Sequence, residues 1–320
     1  MIFEKFVISA FKGMMYTRCD DTKTVFYYAP EDFEGLQCEP FSFFSSLGHS
    51  LKGYFYHYGE ASTDRLIVFD HGFGGGHRAY MKEIERLCRA GYTVFAYDHT
   101  GCMESGGESP NGMAQSLCDL SDCITALRAD ARFASTDISV MGHSWGGFAA
   151  LNICALHPDI SHIVVLSGFV SVKELIHPFF GGPLKLYRGA VLALEKQSNP
   201  RFSEFHAVSS LSDTDAKVLL IYSDNDTLCR VSHYNILKDA LGGKENIRFH
   251  LESGKGHNPN YTKDAVQKLA AFGKARAKIA KKKNLTEKEA KAFTSSFDWD
   301  AITAQDEAVW EKILAHLKDQ

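Results

Sequence analysis

The chain has 320 residues, 45% hydrophobic and 23% charged, an ordinary globular composition with room for one large α/β domain or two small ones. A formal net charge of −4 gives no electrostatic reason to expect nucleic acid or an anionic membrane as partner. The longest apolar stretches are of strand length, so neither a transmembrane helix nor stable membrane association is expected, and Phe6 to Phe11 is too short for a signal-peptide core.

Eight cysteines stand at positions 19, 38, 88, 102, 118, 123, 154 and 229 with no C-x-x-C pair. That is neither a zinc framework nor a small disulfide scaffold, and no metal or cofactor is expected. Cys88, Cys123 and Cys154 fall on apolar helix faces, where a thiol behaves as a small hydrophobe. A reducing cytoplasm is the economical location. The N-x-T triplets at Asn225 and Asn284 matter only in a secretory compartment.

Residues 1–38 are aromatic-rich and irregular, and are set aside as an N-terminal extension. From Glu39 a hairpin is expected, with Phe41 to Phe44 as one strand and Leu51 to Tyr58 as its return. Arg65 to Asp70 reads as a buried strand ending in His71-Gly-Phe-Gly-Gly-Gly76. A helix follows with Tyr80, Met81, Ile84, Leu87 and Cys88 on one face and Gly91 just past its end. Tyr92 to Tyr97 is the next strand, followed by the polar, Gly-rich loop Asp98 to Gly107. Met113, Leu117, Leu120, Ile124 and Leu127 mark another helix. His162–Leu166, Lys217–Tyr222 and Asn246–Leu251 are the last strands expected.

Two regions interrupt the alternation. Residues 169–215 carry helix-like apolar groups broken by Pro178, Gly181, Gly182 and Pro183. A helical insertion leaving the carboxyl end of a strand reads as a cap over a site, the alternative being an extra packing layer. Residues 263–300 form a basic helical stretch with Lys274, Arg276, Lys278, Lys281, Lys282 and Lys283, read as a solvated face. A capping box at Thr286 to Glu289 starts a new helix there. Val309, Trp310, Ile313, Leu314 and Leu317 give a terminal helix that docks on the sheet.

The most informative stretch is Ile138-Ser-Val-Met-Gly-His-Ser-Trp-Gly-Gly-Phe148. A β-branched run turns at Gly142-His143-Ser144-Trp145-Gly146 and continues as a helix, the setting of a nucleophile elbow. A Cβ at Gly142 or Gly146 would collide with backbone in so tight a turn. The pattern alone also fits a structural or phosphate-binding turn. Alternating strands and helices mean a mostly parallel sheet covered on both faces, with ligands beyond the carboxyl ends of its strands. Segments 71–76, 98–107, 142–146, 223–229 and 254–259 all lie at those ends.

A nucleophilic serine needs a base, and the base needs an orienting acid. His257 follows the last strand and Asp226 follows the one before, so the order is Ser144, Asp226, His257. On these motifs the chain resembles the α/β-hydrolase family, in its lipase, esterase and serine-aminopeptidase branch, over roughly residues 39–260 and the last helix. The resemblance implies a mostly parallel eight-stranded sheet with an N-terminal antiparallel hairpin, helices on both faces and a helical cap. Residues 39–168 and 216–320 would then be the core and 169–215 the cap.

It implies Ser144 as nucleophile, His257 as general base and acid, and Asp226 as the orienting acid, with Asp224 competing. His71-Gly-Phe-Gly resembles the family's oxyanion loop, which makes the backbone N–H groups of Phe73 and Trp145 the oxyanion donors. The Asp98 to Gly107 loop resembles a structural D-x-x-G-x-G-x-S-x-G loop with Met103 replacing its middle glycine, so Asp98 and Ser105 are not catalytic candidates. His71, His77, His99 and His143 fall near the site without a metal-ligand spacing. His143 and Trp145 are read as packing residues, and His206 in the cap as a surface histidine. The expected partner is a small-molecule acyl substrate and the expected activity carboxylic ester hydrolysis. Thioester hydrolysis, serine aminopeptidase activity (with Glu174, Glu195 and Glu204 as acidic candidates) and non-catalytic ligand binding stand as alternatives. Oligomeric state is not legible.

Overall fold

Valine, isoleucine, leucine and phenylalanine runs without polar alternation form strands buried on both faces, and here they build one eight-stranded sheet. The computed structural model describes residues 2–20, 23–282 and 284–319. Its strands are β1 (Leu36–Phe44), β2 (Ser50–Tyr58), β3 (Arg65–Asp70), β4 (Thr93–Tyr97), β5 (Asp137–His143), β6 (His162–Leu166), β7 (Lys217–Ser223) and β8 (Ile247–Glu252). They lie side by side in the order β1-β2-β4-β3-β5-β6-β7-β8. β2 runs antiparallel to both β1 and β4, and β3 to β8 are parallel. This is the mostly parallel sheet with an antiparallel hairpin that the sequence predicts.

The first helix, α1 (Ile2–Met15), occupies the stretch expected to be irregular. Val7 and Phe11 are buried beneath it. Strand β1 also starts earlier than the expected boundary at residue 39, because Pro40 does not stop it. β1 is an edge strand, and an edge tolerates a residue with no N–H to donate.

Helices α2 (Met81–Arg89), α3 (Gln115–Ala129) and α4 (Trp145–Asn152) alternate with the strands. Between β6 and β7 come α5 (Val172–Phe179), α6 (Arg188–Ser198) and α7 (Ala207–Ser212), joined by short 3-10 turns. α8 (Val231–Leu241) links β7 to β8. Beyond β8 lie α9 (Lys263–Ile279), α10 (Glu287–Thr294), α11 (Trp299–Ile302) and α12 (Glu307–Lys318).

Side chains of successive strand residues point to opposite faces, which divides the core in two. Leu66, Val68, Phe95, Val140, Val165 and Leu220 face α3, α4 and α8. Ile67, Phe69, Val94, Met141, Val164 and Leu219 face α2 and α12, where Val309, Trp310, Ile313 and Leu317 are all buried. Residues 263–300 carry a separate aromatic cluster of Phe272, Phe293, Phe297 and Trp299. The capping box is present: Glu289 N donates to Thr286 Oγ1 and Thr286 N donates back to Glu289 Oε2. Lys274, Lys278, Lys281 and Lys282 are exposed, and Lys283 lies outside the described residues. No helix among the described residues is long and apolar enough to cross a membrane.

Candidate active site

The elbow between β5 and α4 is closed by backbone contacts that exclude side chains. A Cβ at Gly142 would lie 2.3 Å from the Gly146 carbonyl oxygen, and one at Gly146 would lie 2.1 Å from that of Asp70. Ser144 takes up the turn with φ +55° and ψ −106°, a left-handed backbone that a non-glycine residue adopts under strain. Its N–H donates to Leu166 O at 2.9 Å, which pins the serine to the neighbouring strand β6. The side chain is left partly exposed at the carboxyl end of the sheet, before the first turn of α4.

His257 and Asp226 meet from separate loops. His257 Nδ1 lies 2.7 Å from Asp226 Oδ2. The other carboxylate oxygen, Oδ1, accepts from Leu228 N at 2.8 Å and Cys229 N at 3.1 Å. Three donors thus fix a buried carboxylate, and the carboxylate in turn fixes the imidazole with Nδ1 as its donor. Asp224 takes a different place: its oxygens accept from Ser253 Oγ and Gly254 N, both at 2.9 Å, and those bonds hold it below the usual carboxylate range. It shapes the loop that carries His257 and does not touch the ring. Ser144 Oγ makes no hydrogen bond to His257 Nε2 among the described residues; the hydroxyl sits against the Cys229 thiol. Catalytic hydrogen bonds are often long before substrate binds.

The N–H groups of Phe73 and Trp145 make no hydrogen bond among the described residues, and the two side chains touch edge to face at 5.2 Å. Trp145 is fixed from behind, its Nε1 donating to Met113 O at 2.7 Å while its own carbonyl accepts from Ser116 Oγ at 3.0 Å. The oxyanion-like loop is anchored by His71. Burial, and then the neighbouring His99, push His71 down to about 3 and keep it neutral. Its Nδ1 donates to Gly72 O at 2.8 Å and its Nε2 accepts from His99 N at 3.0 Å.

His143, read from the sequence as packing, links two parts of the site. Gly72 N donates to Tyr80 Oη at 3.0 Å, and that hydroxyl donates to His143 Nδ1 at 2.8 Å. His143 Nε2 then donates to the backbone oxygen of His257 at 2.8 Å, with the two rings 4.7 Å apart. Burial drives His143 down to about 3, so the ring is neutral and the relay has a single tautomer. The loop before α2 is thereby tied to the loop after β8. Tyr80→Phe strands both the Gly72 N–H and His143 Nδ1, and is expected to lower stability by about 1–3 kcal/mol in urea denaturation. An unchanged midpoint would remove the relay from the account.

Asp98 and Ser105 are both engaged in hydrogen bonds that hold their own loop. Asp98 accepts from His77 N, His77 Nδ1 and Glu104 N, and Ser105 Oγ accepts from Lys52 N. His206 caps α7, with Val208 N donating to its Nδ1 at 3.3 Å.

Residues 61–253, more than half of the chain, match the family described as serine aminopeptidase, S33. An uncharacterised Bacillus subtilis protein, YqkD, is 23% identical over 241 residues, 73% of this chain and 77% of that protein. A monoacylglycerol lipase of Mycolicibacterium smegmatis is 32% identical over 108 residues, 32% of this chain and 37% of the lipase. The fold is similar to that of a Pyrococcus furiosus esterase, with a TM-score of 0.59 at 18% identity over 83% of this chain and 97% of the esterase. The elbow, the sheet order and the matched span together make this chain a member of the serine aminopeptidase S33 family of α/β-hydrolases, and a hydrolase.

Proposed function

We propose that the protein hydrolyses carboxylic esters through an acyl-enzyme on Ser144. The observation that carries this reading is the 2.7 Å contact of His257 Nδ1 with a buried, doubly amide-bonded Asp226, on loops at the same end of the sheet as the strained Ser144. In this mechanism His257 Nε2 takes the Ser144 proton as Oγ attacks the carbonyl carbon. The tetrahedral oxyanion is met by the N–H groups of Phe73 and Trp145, and His257 then protonates the leaving alcohol. Water deprotonated by His257 attacks the acyl-enzyme and releases the acid. Two oxyanion donors supply much of the rate, since losing one costs roughly 100- to 1000-fold.

The substrate's apolar portion is assigned to the side covered by residues 169–215. That segment is fastened beside the oxyanion residue: Glu195 of α6 accepts from Met113 N at 2.7 Å, and Met113 O receives the Trp145 indole. The similarities to a monoacylglycerol lipase and an esterase point the same way. An aminopeptidase needs free acidic groups for the substrate's amino terminus. Glu195 is instead buried against Met113 and Tyr16, and Glu204 pairs with Lys196 at the surface, which leaves Glu174 as the one candidate of the three without an ion pair among the described residues. The eight free thiols support a cytoplasmic location.

The test is a series of p-nitrophenyl esters of increasing acyl length, with the matching thioesters and aminoacyl anilides alongside. Ester turnover is expected to exceed anilide turnover by at least a hundredfold and to peak beyond the acetyl ester. Preferential cleavage of the anilides would overturn the ester reading.

A further inference from the structure

Outside the site, the segment after α1 is strapped onto the loop that follows β4. Cys19 N donates to Gly101 O and Met103 N donates to Cys19 O, both at 2.9 Å, so Cys19 and Cys102 form a parallel β-bridge pair. Arg18 reinforces the strap, its guanidinium donating to Met103 O at 2.5 Å and Gly107 O at 2.6 Å. Directly paired strand residues lie about 4.8 Å apart and point their side chains to one face, a separation inside the range that a disulfide spans. The bridge therefore sets the two thiols side by side on one face.

The pair is asymmetric. Cys102 is fully buried and Cys19 is half-buried. Arg18 and Asp20, on either side of Cys19, line a cavity of about 850 Å³ with Asp98 and Met103 across it, so the strap borders open space on both sides of the cysteine. The Cys102 thiol and the Gly74 amide favour the thiolate of Cys19, which is held below the usual thiol range. The other seven thiols are all pushed up, by burial in most cases and chiefly by Cys19 itself at Cys102.

We propose that Cys19 and Cys102 form a thiol-oxidation site, in which a hydroperoxide converts the pair to a disulfide with Cys19 attacking and Cys102 resolving. With hydrogen peroxide as the hydroperoxide, the Cys19 thiolate attacks one oxygen, the O–O bond breaks, and the departing hydroxide takes up the thiol's proton as water. Cys19 is left as the sulfenic acid. The Cys102 sulfur then attacks the Cys19 sulfur, the S–O bond breaks, and the Cys102 proton leaves with that oxygen as a second water. Two thiols lose two electrons and the peroxide gains them. The cross-link fixes the strap on the 98–107 loop and takes the Cys19 sulfur off the Gly74 amide, one residue from Phe73.

The experiment treats the folded full chain with hydrogen peroxide and maps thiols by mass spectrometry without reduction. Wild type is expected to lose two hydrogen masses and to yield a peptide joining Cys19 to Cys102, at least tenfold faster than the exposed Cys38 is modified. Cys102→Ser should stop at a sulfenic acid on Cys19, captured by dimedone, and Cys19→Ser should give neither product. A wild-type protein that keeps both thiols, or joins Cys19 to another cysteine, overturns the proposal. So does Cys102→Ser protein in which Cys19 takes no dimedone. None of these measurements depends on ester turnover.

Discussion

Ser144→Ala is expected to keep the fold and to lose roughly 10⁵-fold or more of kcat on the best p-nitrophenyl ester, because an elbow nucleophile has no substitute. On the proposed mechanism the Phe73 and Trp145 amides and the binding contacts sustain only a small residual rate. Asp226→Asn is expected to cost about 10⁴-fold, since the amide no longer holds His257 with its proton on Nδ1. Asp224→Asn should stay within about tenfold, because Asp224 bonds Ser253 and Gly254 and leaves the ring alone. The three variants form one test, read as kcat and KM with urea midpoints beside them. Equal ester release by wild type and Ser144→Ala would end the acyl-enzyme account. Equal losses at Asp224 and Asp226 would end the assignment of the orienting acid.

The legible parts of this site are those whose chemistry is local in sequence. Gly142 and Gly146 could be read because a tight strand-to-helix turn forbids Cβ atoms wherever it occurs. Asp226 and His257 could be read because each follows a strand at the same end of the sheet. The His143 relay could not, because Gly72, Tyr80 and His257 come together only after three loops converge. Helix α1 escaped for a different reason. Val7, Phe11, Met14 and Met15 do recur at helical spacing, but Phe3, Phe6 and Ile8 widen the apolar face until it does not say which side is covered. Phe3, Phe6 and Met14 are in fact exposed while Val7 and Phe11 are buried. The strap at Cys19 depends on a partner 83 positions away, and no spacing rule announces it.

His99→Ala is expected to destabilise the protein by about 3–5 kcal/mol, the usual cost of leaving buried charge without its partner. The ring, just past the carboxyl end of β4, is wholly buried between Asp70 at the end of β3 and Asp119 in α3. Nε2 lies against Asp70 Oδ1, and Nδ1 is 3.3 Å from Asp119 Oδ2. Burial pulls His99 down, but Asp70 and Asp119 outweigh it and raise the ring to about 9. Asp119 is otherwise satisfied by Thr100 and Gln115, whereas among the described residues Asp70 has only Tyr97 Oη at 3.3 Å besides the imidazole. Removing the ring therefore strands Asp70 beneath the elbow, next to the backbone that closes on Gly146.

The same charge sets a pH signature. A histidine raised on folding contributes stability that is fully present below its unfolded value near 6.5 and is lost as pH rises through about 9. Wild-type stability is accordingly expected to fall between pH 6.5 and 9 by on the order of 3 kcal/mol more than that of His99→Ala. The difference between the two profiles removes thiols and other groups that titrate in both and reports the His99–Asp70 pair, since burial pushes the Asp70 carboxyl up and His99 pulls it down. An Asp70→Asn, His99→Gln double variant, which removes both charges and keeps both shapes, should recover part of the loss. If His99→Ala matches wild type in urea midpoint, or if the two proteins share one slope across that window, the buried imidazolium does not hold the base of the site.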